Sequence, residues 1–324
     1  VTKATLGSPE IADALLQCGV SGLGDSRIEN IQEIRSFCEK SSISLIRSPM
    51  LSQVEQVVAQ ADISFNTELE IIDSLSLAAK ETGRSHGIVL MVELGDLREG
   101  IMPGDLEEIV RATLRFPNIT LKGIATNLAC RSGVSPDISN MSELSALAIS
   151  VETTFGMNLG IVSGGNSANL DWALGAKDTG RINNLRLGEA IFLGRETLNR
   201  QAVEGLYTDA IVLVGEVIES KTKPSQPWGK CGQNAFGESS SSSDRGEIRQ
   251  LILALGRQDT DPGGLKSPPG ITILGASSDH LIVESDSEEF AVGAEITFQV
   301  NYSAFAQSML SPFVEKTLNL GSVS

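Results

Sequence analysis

The chain has 324 residues, with 25 Lys+Arg against 41 Asp+Glu for a net charge of −16, and only 2 His, 2 Tyr, 2 Trp and 4 Cys. That length exceeds one ordinary domain of roughly 100–200 residues and suits a barrel with a smaller appendage; the acidic balance, without any Lys/Arg run, excludes nucleic acid as a partner, because nothing displaces its counterions. A hydrophobic content of 41% supports a real core, no run approaches the roughly 18 apolar residues of a membrane span, and Cys18, Cys38, Cys130 and Cys231 are too scattered for a disulfide framework, so a reducing, cytoplasmic setting is expected.

The chain opens at Val1-Thr2-Lys3 without an initiator Met, as though inside a strand, and we expect a segment to precede it, any targeting peptide included. Strand-length apolar runs at 1–3, 21–25, 43–46, 63–66, 88–94, 121–127, 159–162 and 184–187 alternate with helix-period stretches at 9–16, 28–38, 54–59, 69–79, 106–116, 141–155 and 168–174. Repeated βα units of this kind build a parallel sheet. Eight of them over roughly 200 residues predict an α/β fold, a TIM-type (β/α)8 barrel with its first strand truncated, where a doubly wound sheet would more often stop at five to seven. A barrel short of strand length exposes unpaired edges on both neighbours, which predicts poor solubility for the chain as it stands.

After about residue 204 the runs at 210–219, 250–255, 271–274, 280–284 and 296–300 are separated by Gly, Pro and Ser rather than helices, which reads as an all-β domain. The expected domains are therefore 1–204 and 205–324. Between Glu238 and Asp244 stand five consecutive serines, a composition that buries too little to stay ordered and reads as a mobile loop.

In a parallel barrel the functional face is the C-terminal end of the strands. The exits there are Lys3, residues 93–100, Thr126-Asn127, Ser163-Gly164-Gly165-Asn166-Ser167 and Arg186-Leu187-Gly188-Glu189. Gly164 and Gly165 let the backbone approach a ligand, Ser167 offers a hydroxyl, and Gly188 and Glu189 offer amides; loops after strands seven and eight are the usual phosphate site of this fold. A plain βα turn with a capping residue explains the same residues equally well. Lys3 tips the reading, because a lysine at the mouth opposite a phosphate cradle is what a pyridoxal phosphate Schiff base needs, whereas alone it reads as a surface lysine. Arg186 could donate to the pyridine nitrogen; since guanidinium stays protonated, that nitrogen would remain unprotonated, which favours brief carbanion formation and reprotonation over transamination.

Two rivals fail. Gly22-Leu23-Gly24-Asp25-Ser26-Arg27 starts like a dinucleotide fingerprint but has Arg27 at the third glycine. No metal site is expected either, because His86 falls in the loop before strand five and His280 is followed two residues on by Ile282 instead of a second ligand.

With these residues in hand, the sequence resembles the alanine racemase superfamily, the fold type III pyridoxal phosphate enzymes, and within it the ornithine racemase group, along essentially the whole chain. The stretches that carry the resemblance are Val1-Thr2-Lys3, Gly24-Asp25-Ser26-Arg27-Ile28-Glu29-Asn30, Val92-Glu93-Leu94-Gly95-Asp96-Leu97-Arg98-Glu99-Gly100, Ser163 to Ser167, Arg186 to Glu196, Leu255-Gly256-Arg257-Gln258-Asp259 and Gly275-Ala276-Ser277-Ser278-Asp279-His280. The resemblance implies a racemase interconverting the enantiomers of ornithine or a related basic amino acid. Lys3 would be the Schiff-base lysine and one acid/base; Asn166, Ser167, Gly188, Glu189 and Tyr302 would hold the cofactor with Arg186 on its ring nitrogen. Arg98 and the amide of Ser278 would meet the substrate carboxylate, the latter from the partner of a head-to-tail homodimer.

The departures matter as well. The family's catalytic tyrosine falls at Arg257, its histidine after strand six at Asn127, and its carbamylated lysine at Met91. Racemisation needs a proton donor on each face of the carbanion, so another group must replace the tyrosine. Cys130, Asp259, Asp279 and His280 are the candidates, His280 foremost because its unperturbed pKa near 6.5 suits the task; a histidine that merely hydrogen-bonds within the β-domain is the plain alternative. Asp259, Asp261 and Asp279 could pair with a distal ammonium, or Asp259 and Asp261 could simply shape a turn. A D-threonine aldolase or D-serine dehydratase type of lyase and a non-catalytic pyridoxal phosphate carrier remain as alternatives.

Overall fold

The chain divides into two compact units, Val1–Leu206 and Tyr207–Ser324, and a computed structural model describes residues 1–237, 243–287 and 289–318. Residues 238–242, which hold most of the serine run, lie outside the described residues.

In the first unit β1 (Leu23–Asp25), β2 (Ile43–Leu45), β3 (Ile63–Asn66), β4 (His86–Met91), β5 (Ile119–Ala125) and β6 (Ile161–Ser163) pair in parallel in chain order. The helices α1 (Pro9–Gln17), α2 (Ile28–Phe37), α3 (Val54–Gln60), α4 (Leu69–Glu81), α5 (Leu106–Thr113), α6 (Ile138–Phe155) and α7 (Leu170–Gly175) alternate with them, and α8 (Glu189–Leu193) follows. Alternation along each strand sends Phe65, Val89, Met91 and Ala125 to the interior, while Ile88, Leu90, Ile124 and Val162 pack among helix residues such as Ile31, Ile72 and Leu144. Every residue of β4 is therefore buried, as in parallel sheets covered on both faces. At Gly123 a Cβ would stand 1.8 Å from the Ile161 carbonyl oxygen, so only glycine lets β5 and β6 approach.

The sheet comes round to its own start. Gly164 donates to the Asn184 carbonyl (3.0 Å) and Arg186 to that of Gly165 (2.8 Å), Val1 N donates to the Leu187 carbonyl (2.6 Å), and Thr2 N–H donates to the Gly24 carbonyl (2.9 Å). Residues 184–187 and Val1-Thr2 thus fill the gap between β6 and β1, which makes this a TIM-type barrel. Residues 1–3 are not a regular strand as expected. The Thr2 carbonyl accepts from the amides of Thr5 and Gly7 and from the Thr5 hydroxyl, curling Lys3–Thr5 into a 3-10 turn. His86, expected in a loop, is the first residue of β4 and buried, because its Nε2 shares a hydrogen bond with the Ser64 hydroxyl at 2.8 Å.

The second unit is an antiparallel sheet of β7 (Val212–Pro224), β8 (Glu247–Leu253), β9 (Leu265–Lys266), β10 (Ile271–Ala276), β11 (Leu281–Ser285) and β12 (Glu295–Val300), in the order β10-β11-β8-β7-β12-β9. Leu213 and Val217 enter its core with Leu251, Val283 and Phe298, while Val212 and Val214 face out. β7 runs past its expected end because the polar stretch Ser220–Lys223 still pairs with β8. Sequence reading also missed α9 (Tyr302–Leu310), whose signal was Asn301, a cap accepting from the Ala304 amide.

Candidate active site at the barrel mouth

Lys3 is exposed at the strand ends and rises from a rigid base. Thr2, fully buried, gives its hydroxyl proton to Asp25 Oδ2 (2.8 Å), and Asp25 Oδ1 accepts from the Arg27 amide (2.9 Å) and Asn30 Nδ2 (3.0 Å). Burial pushes the Asp25 carboxyl above the ordinary range despite these donors.

The glycine turn after β6 is shaped for close approach. Gly165 has φ +141, and a Cβ there would stand 2.3 Å from Asn169 Oδ1. Asn166 and Asn169 cap the turn Ser167–Asn169 reciprocally. Ser167 Oγ accepts from the amides of Gly188 (3.3 Å) and Ala190 (3.2 Å), which ties the turn to the start of α8 and leaves its hydroxyl proton to donate. Burial raises the Glu189 carboxyl, opposed by its ion pair with Arg200 and by the nearby Lys3 ammonium.

Arg186 is half-exposed by surface yet set deep in the mouth, its guanidinium over the Phe65 ring at 5.0 Å. One terminal nitrogen donates to Ser163 Oγ (2.5 Å), the other to the Thr126 carbonyl (2.7 Å) and Asn127 Oδ1 (3.3 Å). Burial, with the charge of Arg98 added, pushes it down to about 10, so it remains a cation at neutral pH.

Arg98 comes from the loop after β4. Glu93 accepts from the amides of Gly95 (2.6 Å), Leu97 (3.0 Å) and Arg98 (3.1 Å). Asp96, fully buried, accepts from those of Cys130 (3.2 Å), Arg131 (2.9 Å) and Ser132 (3.0 Å), riveting this loop to the one after β5. Burial works to raise the Asp96 carboxyl, but these amides outweigh it and hold it below its ordinary value. The Arg98 guanidinium pairs with Glu99 and donates to Cys130 Sγ at 2.9 Å. Cys130, a candidate second base, is thus an acceptor for Arg98.

The other candidates lie in the second unit. Arg257 N–H and Gln258 N–H donate to the carbonyls of Ser277 (2.9 Å) and Ser278 (3.0 Å), so the loop 255–260 packs on the β10–β11 hairpin that carries Ser278, Asp279 and His280. Asp279 and His280 are exposed, with His280 Nδ1 3.4 Å from Ser277 Oγ. Asp259 accepts from the Gly256 amide (3.0 Å) and the Ser311 hydroxyl (2.9 Å), and Asp261 from the Gly263 amide (3.0 Å), so both carboxylates shape turns. Tyr302, half-buried, opens α9. The first unit therefore gathers Lys3, Arg98, Asn166, Ser167, Arg186, Gly188 and Glu189, and the second gathers Asp259, Ser278, Asp279 and His280. Sequence reading missed Asp25, Glu93 and Asp96 as supports, although all three sit inside the stretches that carried the resemblance.

Comparison with known proteins completes the picture. Residues 1–196 match the family model for the alanine racemase N-terminal domain. The chain is 40% identical over 322 residues to an ornithine racemase of Acetoanaerobium sticklandii, covering 98% of this chain and 91% of that protein. It is 36% identical to a lysine racemase of Thermotoga maritima, covering 98% and 89%. Among solved structures, an alanine racemase from Streptomyces coelicolor superposes with a TM-score of 0.74 at 17% identity, covering 95% of this chain and 85% of that one.

Proposed function

The chain belongs to the alanine racemase family, and from that premise we propose that it is a pyridoxal phosphate-dependent racemase of a basic α-amino acid, ornithine foremost, acting as a head-to-tail homodimer in the cytoplasm. The observation that carries this reading is the near full-length identity with two racemases named for ornithine and lysine.

The residues at the mouth fit the cofactor. A glycine turn with a serine hydroxyl suits a phosphate, and a fixed cation beside an aromatic ring suits a pyridine nitrogen. Asn166, Ser167 and the amides of Gly188 and Glu189, with Tyr302, would hold the phosphate, and Arg186 would hold the ring nitrogen unprotonated. When bound, the cofactor supplies an electron sink that acidifies the substrate Cα proton.

Lys3 would anchor the cofactor and move that proton on one face. His280 moves it on the other, delivered with Ser278 and Asp279 from the second chain of the dimer. Arg98 and the Ser278 amide orient the substrate carboxylate, and Asp279, exposed on its hairpin, meets the distal ammonium, favouring basic amino acids over alanine. Asp259 belongs to the same loop cluster and steadies it from Gly256 and Ser311.

Incubation with each of a panel of L-amino acids in deuterated water tests the reading. We expect deuterium at Cα, with inversion, for ornithine and lysine and far less for alanine. Inversion of alanine alone would overturn the substrate assignment, and loss of a substrate carbon–carbon bond would point to a lyase.

A further inference from the structure

The loop after β4 is shaped to present two neighbouring side chains. A bridge between Val92 and Ile101 closes it, and a Cβ on Gly100 would stand 2.4 Å from the Glu93 amide nitrogen, so only glycine permits that closure. Leu97, exposed, is held at φ +54, a conformation that costs a leucine strain. The Glu93 carboxylate, on the Leu97 and Arg98 amides, and the buried Asp96 carboxylate, on the neighbouring loop, impose it. Directly after this strained residue stand Arg98 and Glu99.

Their side chains form an ion pair and are 34% and 27% exposed, so a solute can reach both. One terminal nitrogen of Arg98 donates to Cys130 Sγ, and Glu99 takes the other. Glu99 also lies near enough to Arg186 for its charge to favour that guanidinium's cationic form, against the effects of burial and of Arg98. An internal carboxylate thus occupies the cation proposed for the substrate carboxylate. A solute carboxylate that takes Arg98 leaves Glu99 a partly buried anion without its partner, which is costly. A solute that brings a second ammonium supplies a new partner, and only then is charge pairing conserved.

On the reading of the mouth as an amino-acid racemase site, we propose that Glu99 is a specificity-determining residue, which cedes Arg98 to the substrate carboxylate and receives the distal ammonium of a basic side chain in exchange. Alanine offers no second cation and leaves that carboxylate unpaired. Glu99 is the mouth's own counterpart to Asp279, the hairpin carboxylate proposed for the same ammonium.

The test compares ornithine with norvaline, which has the same carbon chain without the terminal ammonium. Cα proton exchange in deuterated water gives kcat/KM for each with the full chain loaded with cofactor, and calorimetry on the same protein gives Kd for valerate, which needs only the carboxylate site. Wild type should favour ornithine. Glu99→Gln keeps an acceptor oxygen for Arg98 but not the charge, and should cut that preference about tenfold, the usual scale for a hydrogen bond between charged groups. Valerate should bind it equally or more tightly, because the internal competitor for Arg98 is weakened. Thermal unfolding should hardly move, since the pair is partly exposed. An undiminished preference in Glu99→Gln would overturn the proposal, and so would a parallel loss for ornithine, norvaline and valerate, which would make Glu99 only a support for Arg98. A wild type that exchanges no basic amino acid would instead overturn the racemase reading itself.

Discussion

The barrel mouth and the β10–β11 hairpin both carry candidate catalytic residues, but they hold them in opposite ways. At the mouth Lys3, Arg186 and Arg98 rise from backbone or side-chain frames held by hydrogen bonds. Thr2 and Asp25 set Lys3, Ser163 and Thr126 set Arg186, and Glu93 with Asp96 sets Arg98. On the hairpin Asp279 and His280 are exposed, His280 held by its own turn through Ser277. A region that builds its own hydrogen-bond frame is preorganised before ligand arrives. One that presents bare side chains gains its geometry only when another surface covers it. On the proposed reading, the mouth holds its base in place beforehand and the hairpin's base gains its place when a second chain covers it.

The largest expected effect removes the Lys3 amine at the mouth. Lys3→Ala should lower kcat at least about a thousandfold, with cofactor-free stability unchanged within about 0.5 kcal/mol because the side chain is exposed; steady-state racemisation and thermal unfolding check both. Acid should act next, through a residue in neither region. Burial holds His86 at about 4, against an ordinary 6.5, so it is neutral in the folded barrel. Its contribution is complete above pH 6.5 and is lost as pH falls toward 4, amounting to about 3 kcal/mol. Chemical denaturation across that range should show this slope, and His86→Phe should flatten it.

Asp96→Ala sharpens the contrast more finely. It strips a buried acceptor from three backbone amides and should cost about 2–3 kcal/mol, while an equivalent Asp279→Ala on the hairpin should stay within about 0.5 kcal/mol. Equal losses in thermal unfolding would dissolve the distinction between the regions. Smallest of all, Cys130→Ala removes one acceptor from Arg98 and should raise KM about three- to tenfold with little change in kcat, a loss largely restored in Cys130→Ser.

Much of the barrel was legible because its signals are local. Periodicity marked the βα units, and glycines with a serine marked the turn at 163–167. What escaped were long-range bonds. Asp25 to Thr2 and Asp96 to Cys130, Arg131 and Ser132 join residues far apart in sequence, and no local pattern announces them. Residues 184–187 read as a strand from composition, but close the barrel through a single bridge and scattered amides. In the second unit α9 was missed because it follows a run of Gly-, Pro- and Ser-separated strands that read as all-β, and β7 was cut early because its last residues are polar although paired.

The central claim is that a working site combines the mouth of one chain with the hairpin of another. Lys3→Ala and His280→Gln, each inactive alone, should regain activity when unfolded together and refolded as a mixture, because half of the dimers then contain one intact site. Activity near a quarter of wild type is the expected result for a symmetric pair; a mixture as inactive as either parent would contradict the account.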